Sequence, residues 1–513
     1  MKKYTLQSAA LLGTASCMLS CGTDNSEKST RPNIVIIYAD DMGYGDMSCQ
    51  NPDSKIQTPH LDRLAAEGMR FTDGHSSAGV SSPSRYALLT GNYHWRRMRG
   101  IVNDYEGTAF KPNEFTLPRM LGEMGYKTAM VGKWHLGWNW DAIIKPEYAD
   151  WLCCRDSLVK YARPEHFDWS KPFTGGPTEI GFDTYFGDGT INFPPYCWIE
   201  NDKAVTAPTF MVKDLNYNPL EGHAEIRQGP AAADWHPTKV LPAITKRTLD
   251  IIKQQKSDAP FFIYCALSAP HAPIHPNDEF IGKSQAGAYG DFVVQCDDIV
   301  GQITQALKEK GLSDNTVVIF SADNGPEKYA YPRIENFEHN STESLRGVKR
   351  DLWEGGHRVP FIVKWDGKIK ANSVNTNLTS QIDILATIAD ITGYTVPADV
   401  AVDSRSMLGS WLGEKLEQPI RETLVHHTFK DIFALRQGDY VLVNNYTGAH
   451  SKMPNSYNEE YDYELFDEKE RSALLYNLKD DLAERHDLSE REPERVAEMK
   501  SLLMNLVNST STK

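Results

Sequence analysis

Two apolar runs in the 513-residue chain end in the same kind of polar pair. Residues 34–38 lead through Ala39 to Asp40 and Asp41, and residues 317–320 lead through Ser321 and Ala322 to Asp323 and Asn324. Ligands of open α/β sheets gather beyond the carboxyl ends of the strands, so four oxygen-bearing side chains can converge at one edge. Three carboxylates held together repel one another unless a cation stands between them. An all-oxygen donor set selects a hard ion, Ca²⁺ ahead of Mg²⁺, and disfavours zinc, which takes nitrogen and sulfur. Taken alone, either pair reads equally well as a turn or a cap.

A third group surrounds residues 81–91, SSPSRYALLTG. Ser82 can cap a helix, Pro83 suits its first turn and Gly91 can end it. Ser81 then stands at a helix N-terminus, where free amides and the dipole favour an anion. Arg85 follows four residues on, on the same face. Lys133 and His135 are two apart, so in an extended segment both point one way while Trp134 points into packing. In isolation each lysine reads as a solvated charge, and His135 or His271 as hydrogen-bonded scaffolding. His275 lies close enough to compete with His271.

The eleven-residue string resembles the signature of the formylglycine-dependent sulfatases of the alkaline-phosphatase superfamily, in its serine-type form. Five further segments agree in order: Asp40-Asp41, residues 132–137 (GKWHLG), residues 270–273 (PHAP), Asp323-Asn324-Gly325, and Lys349 ahead of Glu354-Gly355-Gly356. With residues 475–478 (LYNL) the likeness spans roughly 32–490. It implies that Ser81 is oxidised to formylglycine by a serine-type maturase. Asp40, Asp41, Asp323, Asn324 and modified Ser81 would hold Ca²⁺. Arg85 would stabilise the hydrated aldehyde, and Lys133 and Lys349 would offset sulfate charge. His271 would protonate the departing sugar oxygen, and His135 would assist expulsion of sulfate. The radical maturase of such serines is oxygen-sensitive, which implies an anaerobic bacterial host. Candidate substrate contacts are Trp138, which reads equally as core, Asn192 in a loop resembling one of galactose-type sugar sulfatases, and the pair His357-Arg358.

These residues need a scaffold, and the rest of the sequence describes one. Short apolar runs at 34–38, 128–131, 261–266, 317–320 and 361–363 alternate with helical patterns at 58–67, 117–124, 243–253, 292–309 and 382–391. That alternation predicts an α/β fold with a large mixed, mostly parallel sheet sandwiched by helices. After about residue 410 the pattern changes to short strands at 421–427 and 432–443 and a closing helix at 493–507, predicting a smaller C-terminal α+β domain. The expected division is a lipoprotein-type signal peptide over 1–20, a tether over 21–31, a catalytic domain over 32–410 and the C-terminal unit over 411–513. Met18-Leu19-Ser20-Cys21 resembles a lipobox, so Cys21 is a candidate lipidation site, and the expected location is the periplasm or the outer membrane of a Gram-negative cell. The membrane would be met through the lipid anchor alone.

Charge filters the function further. The net charge is −15, and removing residues 1–20 takes away Lys2 and Lys3 and no acid, leaving −17. A nucleic-acid binder needs the opposite sign. The same surplus favours exo action on a small sulfated sugar end over a long polyanion, and the resemblance of the loop at Asn192 implies a sugar of galactose or N-acetylgalactosamine type. A phosphatase or phosphodiesterase of the same superfamily and a non-catalytic glycan-binding lipoprotein are the rival readings. The six cysteines beyond Cys21 form no metal or CxxC pattern and read mostly as packing residues.

Overall fold

The computed structural model describes Met1 and residues 31–513 except 155–160, 216, 223–224, 256–258 and 429–431. Cys21 and the expected signal peptide lie outside the described residues. Ten strands form the main sheet: β1 (Asn33–Ala39), β2 (Met69–Phe71), β3 (Lys127–Lys133), β4 (Thr184–Gly189), β5 (Ile199–Glu200), β6 (Lys203–Ala204), β7 (Phe261–Ala266), β8 (Thr316–Ala322), β9 (Phe361–Trp365) and β10 (Ser373–Asn375). Their spatial order is β10-β2-β9-β8-β1-β7-β3-β4-β5-β6. The central five, β8 to β4, run parallel. Antiparallel pairs flank them.

Every residue of β1 and β8 is buried, as Val/Ile runs covered on both faces require. The helices are α1 (Pro59–Glu67), α2 (Ser81–Thr90), α3 (Leu117–Glu123), α4 (Pro237–Gln254), α5 (Gly287–Glu309) and α6 (Ile384–Thr392). Helices α1 and α4 pack on α5, and α2 packs on α3 and α6. Helix α4 begins six residues before the pattern suggested, with Pro242 inside it. Pro242 has no N–H for the Thr238 carbonyl, and Asn277 Nδ2 donates to that carbonyl instead at 2.9 Å.

A second, antiparallel sheet holds β11 (Thr423–His427), β12 (Phe433–Gln437), β13 (Tyr440–Val443) and β14 (Leu474–Asn477) in that order. Helix α7 (Pro493–Asn508) buries Met499 and Leu503 against Leu424, Phe433, Leu435 and Leu442. Ala87 of α2 and Tyr93 belong to the same apolar cluster. The C-terminal sheet thus backs the helix that carries Ser81. Cys49, Cys197, Cys265 and Cys296 are unpaired, and the last three are buried.

Candidate active site

Parallel strands deliver their C-terminal ends to one edge, and β1, β8, β3 and β7 meet there. Asp40 and Asp41 follow β1, Asp323 and Asn324 follow β8, Lys133 closes β3, and His271 lies in the loop after β7. Helix α2 points its first residue at the same place. Val80 is the N-cap and Ser81 the first helical residue, so Ser82 does not cap as its type suggested. Ser82 Oγ instead accepts the Val102 N–H at 3.0 Å, tying the helix to the 101–103 loop. Gly91, at φ 66°, ends the helix in the left-handed conformation.

All the expected oxygen donors come together. Ser81 Oγ lies 3.4 Å from Asp40 Oδ1 and 3.3 Å from Asn324 Oδ1. The Asn324 amide donates to Asp41 Oδ1 at 2.7 Å, and the Asp41 N–H donates to Asp323 Oδ1 at 3.2 Å. Asp40, Asp41, Asp323 and Asn324 are each 0–1% exposed. Burial would raise the Asp40 carboxyl, but Lys133, then His271 and Arg85, outweigh it and hold Asp40 below the usual carboxylate range.

Three cations meet the three carboxylates. Arg85 donates from Nε and Nη2 to Asp323 Oδ2 at 3.1 and 2.8 Å, and its Nη2 lies 3.5 Å from Asp40 Oδ1. Lys133 Nζ reaches Asp40 Oδ2 at 2.6 Å, and Lys349 Nζ reaches Asp41 at 2.7 Å. This protein framework is charge-balanced, so a bound dication would give it the net positive charge that a sulfate ester requires. The chemistry of the donor set, four buried oxygen-bearing side chains with Ser81 Oγ beside them, fits a hard cation.

The backbone is bent at two site residues. Asp41 has φ 64° and His135 has φ 52°, positive values uncommon outside glycine. Tyr289 hydroxyl, 3.0 Å from the Asp41 carbonyl and 2.6 Å from Asp46 Oδ2, braces the first. The second departs from the extended segment expected for 133–135. Trp134 nevertheless turns into packing, its ring stacked on Phe110. Gly132, at φ 104°, permits the approach of β3 to β7, because a Cβ there would stand 1.9 Å from the Ala266 carbonyl oxygen.

The two histidines differ in their free atoms. His135 Nε2 is 3.1 Å from the Val102 carbonyl, which only accepts, so Nε2 carries the proton and Nδ1, buried without a partner, keeps its lone pair. Burial, then Lys133 and Arg85, push its pKa well down. His271 donates from Nδ1 to the Ala272 carbonyl, leaving Nε2 3.7 Å from Asp41 Oδ2. His275 is stacked on Tyr217, ring centroids 5.5 Å apart, rather than on the carboxylates.

Beside His135 lies a small cavity lined by Tyr105, Trp134, Trp138, Asp188, Thr190 and Phe193, among others. Trp138 is also core, packed on Trp134, Phe173 and Tyr185. Asn192 offers its main-chain carbonyl to Tyr196 and Arg227, while its neighbour Phe193 faces the cavity. His357 and Arg358 do not line it. His357 is enclosed by His75 and His426, and Arg358 is paired with Asp73 and Glu354, so both serve as internal scaffold. The sequence reading missed Glu327, 3.9 Å from Lys349 and bound to Arg350, and the buried Asp188. Asp188 is the penultimate residue of β4 and Glu327 follows Asn324 by three residues, but neither belongs to a recognisable spaced motif.

A parallel-centred sheet between helices, with a metal-fitting cage at its carboxyl edge and a small antiparallel C-terminal unit, is an alkaline-phosphatase-like fold, the architecture of hydrolases of anionic esters. The chain belongs to the sulfatase family: the family model "Sulfatase" matches residues 32–394, and the model "N-sulphoglucosamine sulphohydrolase, C-terminal" matches 347–508. It is 31% identical over 524 residues to an N-acetylgalactosamine-6-O-sulfatase of Bacteroides thetaiotaomicron, covering 95% of each chain. It is 32% identical to the N-acetylgalactosamine-6-sulfatase of Homo sapiens, covering 76% of this chain and 67% of that one. A solved structure described under glycosaminoglycan metabolism by Bacteroides thetaiotaomicron superposes with a TM-score of 0.77 at 30% identity, covering 94% of this chain and 100% of that one. The protein is a sulfuric ester hydrolase.

Proposed function

We propose that the protein removes the 6-sulfate from a terminal N-acetylgalactosamine or galactose unit of a sulfated glycan, using formylglycine made from Ser81 and a Ca²⁺ ion. The observation that carries this reading is the 31% identity to an N-acetylgalactosamine-6-O-sulfatase along 95% of both chains. The convergence of Ser81 on Asp40 and Asn324 supports residue 81 as the reacting position. Ca²⁺ held by Asp40, Asp41, Asp323 and Asn324 would supply Lewis acidity to the hydroxyl that oxidised, hydrated residue 81 offers.

The chain's own residues do the rest. Arg85, fixed by its fork on Asp323 and 3.5 Å from Asp40, which Ser81 Oγ also approaches, would stabilise the hydrated residue 81. Lys133 and Lys349 flank the carboxylates and stabilise charge that moves onto sulfate oxygens in the transition state. His271 Nε2 is the site for the proton given to the leaving sugar oxygen. His135 Nδ1, a buried lone pair without a partner, is the site that takes a proton in sulfate release. Maturation by a serine-type oxidase, export with lipidation at Cys21 in an anaerobic Gram-negative bacterium, and a domain division near residue 410 belong to the same proposal. No helix among the described residues is long and apolar enough to cross a membrane.

The test is sulfate release from defined monosulfated sugars by protein matured in an anaerobic host. Release from the 6-sulfated amino sugar, absent in Ser81→Ala, supports the reading. Turnover of phosphate esters by unmodified serine, with no sulfate release, overturns it.

A further inference from the structure

A second cluster of ligating side chains lies away from Ser81, where the loop 72–76, the short helix Glu354–His357 and strand β11 meet. His75, His357 and His426 are 1%, 1% and 2% exposed, and one ring nitrogen from each lies within 4.8 Å of the other two. The hydrogen bonds fix the tautomers of two of them. His75 Nε2 is 2.8 Å from Asp73 Oδ1, a carboxylate oxygen that Arg358 also approaches at 2.9 Å. The carboxylate accepts there, and His75 Nε2 carries the proton. His357 Nε2 is 3.1 Å from the Leu352 carbonyl, which only accepts, so it too carries a proton.

With both Nε2 atoms protonated, neutral rings turn two lone pairs on each other, for His75 Nδ1 and His357 Nδ1 are 3.1 Å apart. Something electrophilic belongs between them. The second observation is His426, in which both ring nitrogens are buried without any partner.

We infer that His75, His357 and His426 form a structural site for a divalent transition ion, zinc first, that clamps the C-terminal sheet to the catalytic domain. Three imidazoles suit such an ion, whereas Ca²⁺ takes oxygen. Asp73 behind His75 is the carboxylate partner that commonly orients a metal-bound histidine. His75 and His357 face one another at close to the separation of two nitrogens on one ion, each about 2.0–2.1 Å from it. His426 is stacked on His357, ring centroids 3.5 Å apart at 11°, so its ring turns out of that stack to ligate. The site would matter to the reaction at a distance. Ser76, next to His75, donates its N–H to the His357 carbonyl at 2.9 Å, and the chain runs from there to Ser81 in five residues.

The experiment saturates the calcium site with Ca²⁺, adds zinc to wild type and to His426→Phe, and counts bound zinc after gel filtration. Phe keeps the stack on His357 and removes the nitrogens. The expected result is one zinc per wild-type chain, none in the variant, a rise in the wild-type unfolding midpoint of about 3 °C or more with zinc, and sulfatase activity retained by the variant in Ca²⁺. X-ray absorption on the zinc-loaded wild type, which does not depend on the variant folding, should show a nitrogen shell with imidazole scattering. Zinc absent from wild type, bound equally by the variant, or held by oxygen alone overturns the inference.

Discussion

Arg85→Met probes the charge balance of the site. The guanidinium is fully buried, donates twice to Asp323 Oδ2 and approaches Asp40, so its loss leaves three carboxylates facing two lysines. Charge-assisted bonds contribute about 1.5–3 kcal/mol each, and breaking a buried pair costs about 3–5 kcal/mol, so the calcium-free variant should lose roughly 3–5 kcal/mol of stability. A dication partly replaces the missing charge. Ca²⁺ should therefore stabilise the variant more than the wild type, narrowing the gap between them. Denaturant unfolding of both proteins in EGTA and in millimolar Ca²⁺ reads the difference. Activity should still fall by about 10²-fold or more in Ca²⁺, because the fork that positions Asp323 beside the reacting residue is gone. Arg85→Lys, which keeps charge without the fork, should recover stability better than activity. A variant as stable as wild type in EGTA, or a deficit that Ca²⁺ does not narrow, would refute the reasoning.

Other outcomes follow from single contacts. His135→Ala should lower kcat by about 10²-fold or more and cost about 1–3 kcal/mol in unfolding assays, since the Val102 carbonyl loses its Nε2 partner. Gly132→Ala should be destabilising by several kcal/mol and poorly expressed, because its Cβ would overlap the Ala266 carbonyl. Arg421→Met should cost about 3–5 kcal/mol in unfolding assays, for Arg421 pairs with buried Asp383 at 2.5 Å and joins the C-terminal unit to α6. Burial pushes Asp297 up to about 7. An acid raised in the folded state contributes stability below its unfolded value that is lost as pH rises through the folded one, so wild type should weaken relative to Asp297→Asn between about pH 4 and 7.

The sequence made the strand ends, the Ser81 helix and the polar residues around it legible, because apolar runs and turn-forming pairs are local signals. Their convergence in space agrees with the α/β rule that ligands collect at the carboxyl edge. Ser82 could not be placed correctly from its type, since the chain leaves Val80 in extended geometry and gives Ser82 a tertiary partner in Val102. Helix α4 ran past Pro242 because Asn277, distant in sequence, takes up the orphaned carbonyl. His357 and Arg358 are candidate substrate contacts by type, and only tertiary contacts, the stack of His426 on His357 and the pairing of Arg358 with Asp73 and Glu354, show them to be enclosed. The edge strands β2, β5, β6 and β10 are two or three residues long, too short for any periodicity to register.

The most direct test combines mass spectrometry of the peptide holding residue 81 with sulfate release by the same preparation. Protein from an anaerobic host with a serine-type maturase should show a residue about 2 Da lighter than serine, through loss of two hydrogens, and should release sulfate from 6-sulfated N-acetylgalactosamine in proportion to that fraction. Sulfate release by protein whose residue 81 is wholly unmodified serine, or fully modified protein that releases no sulfate from any sulfated sugar, would contradict it.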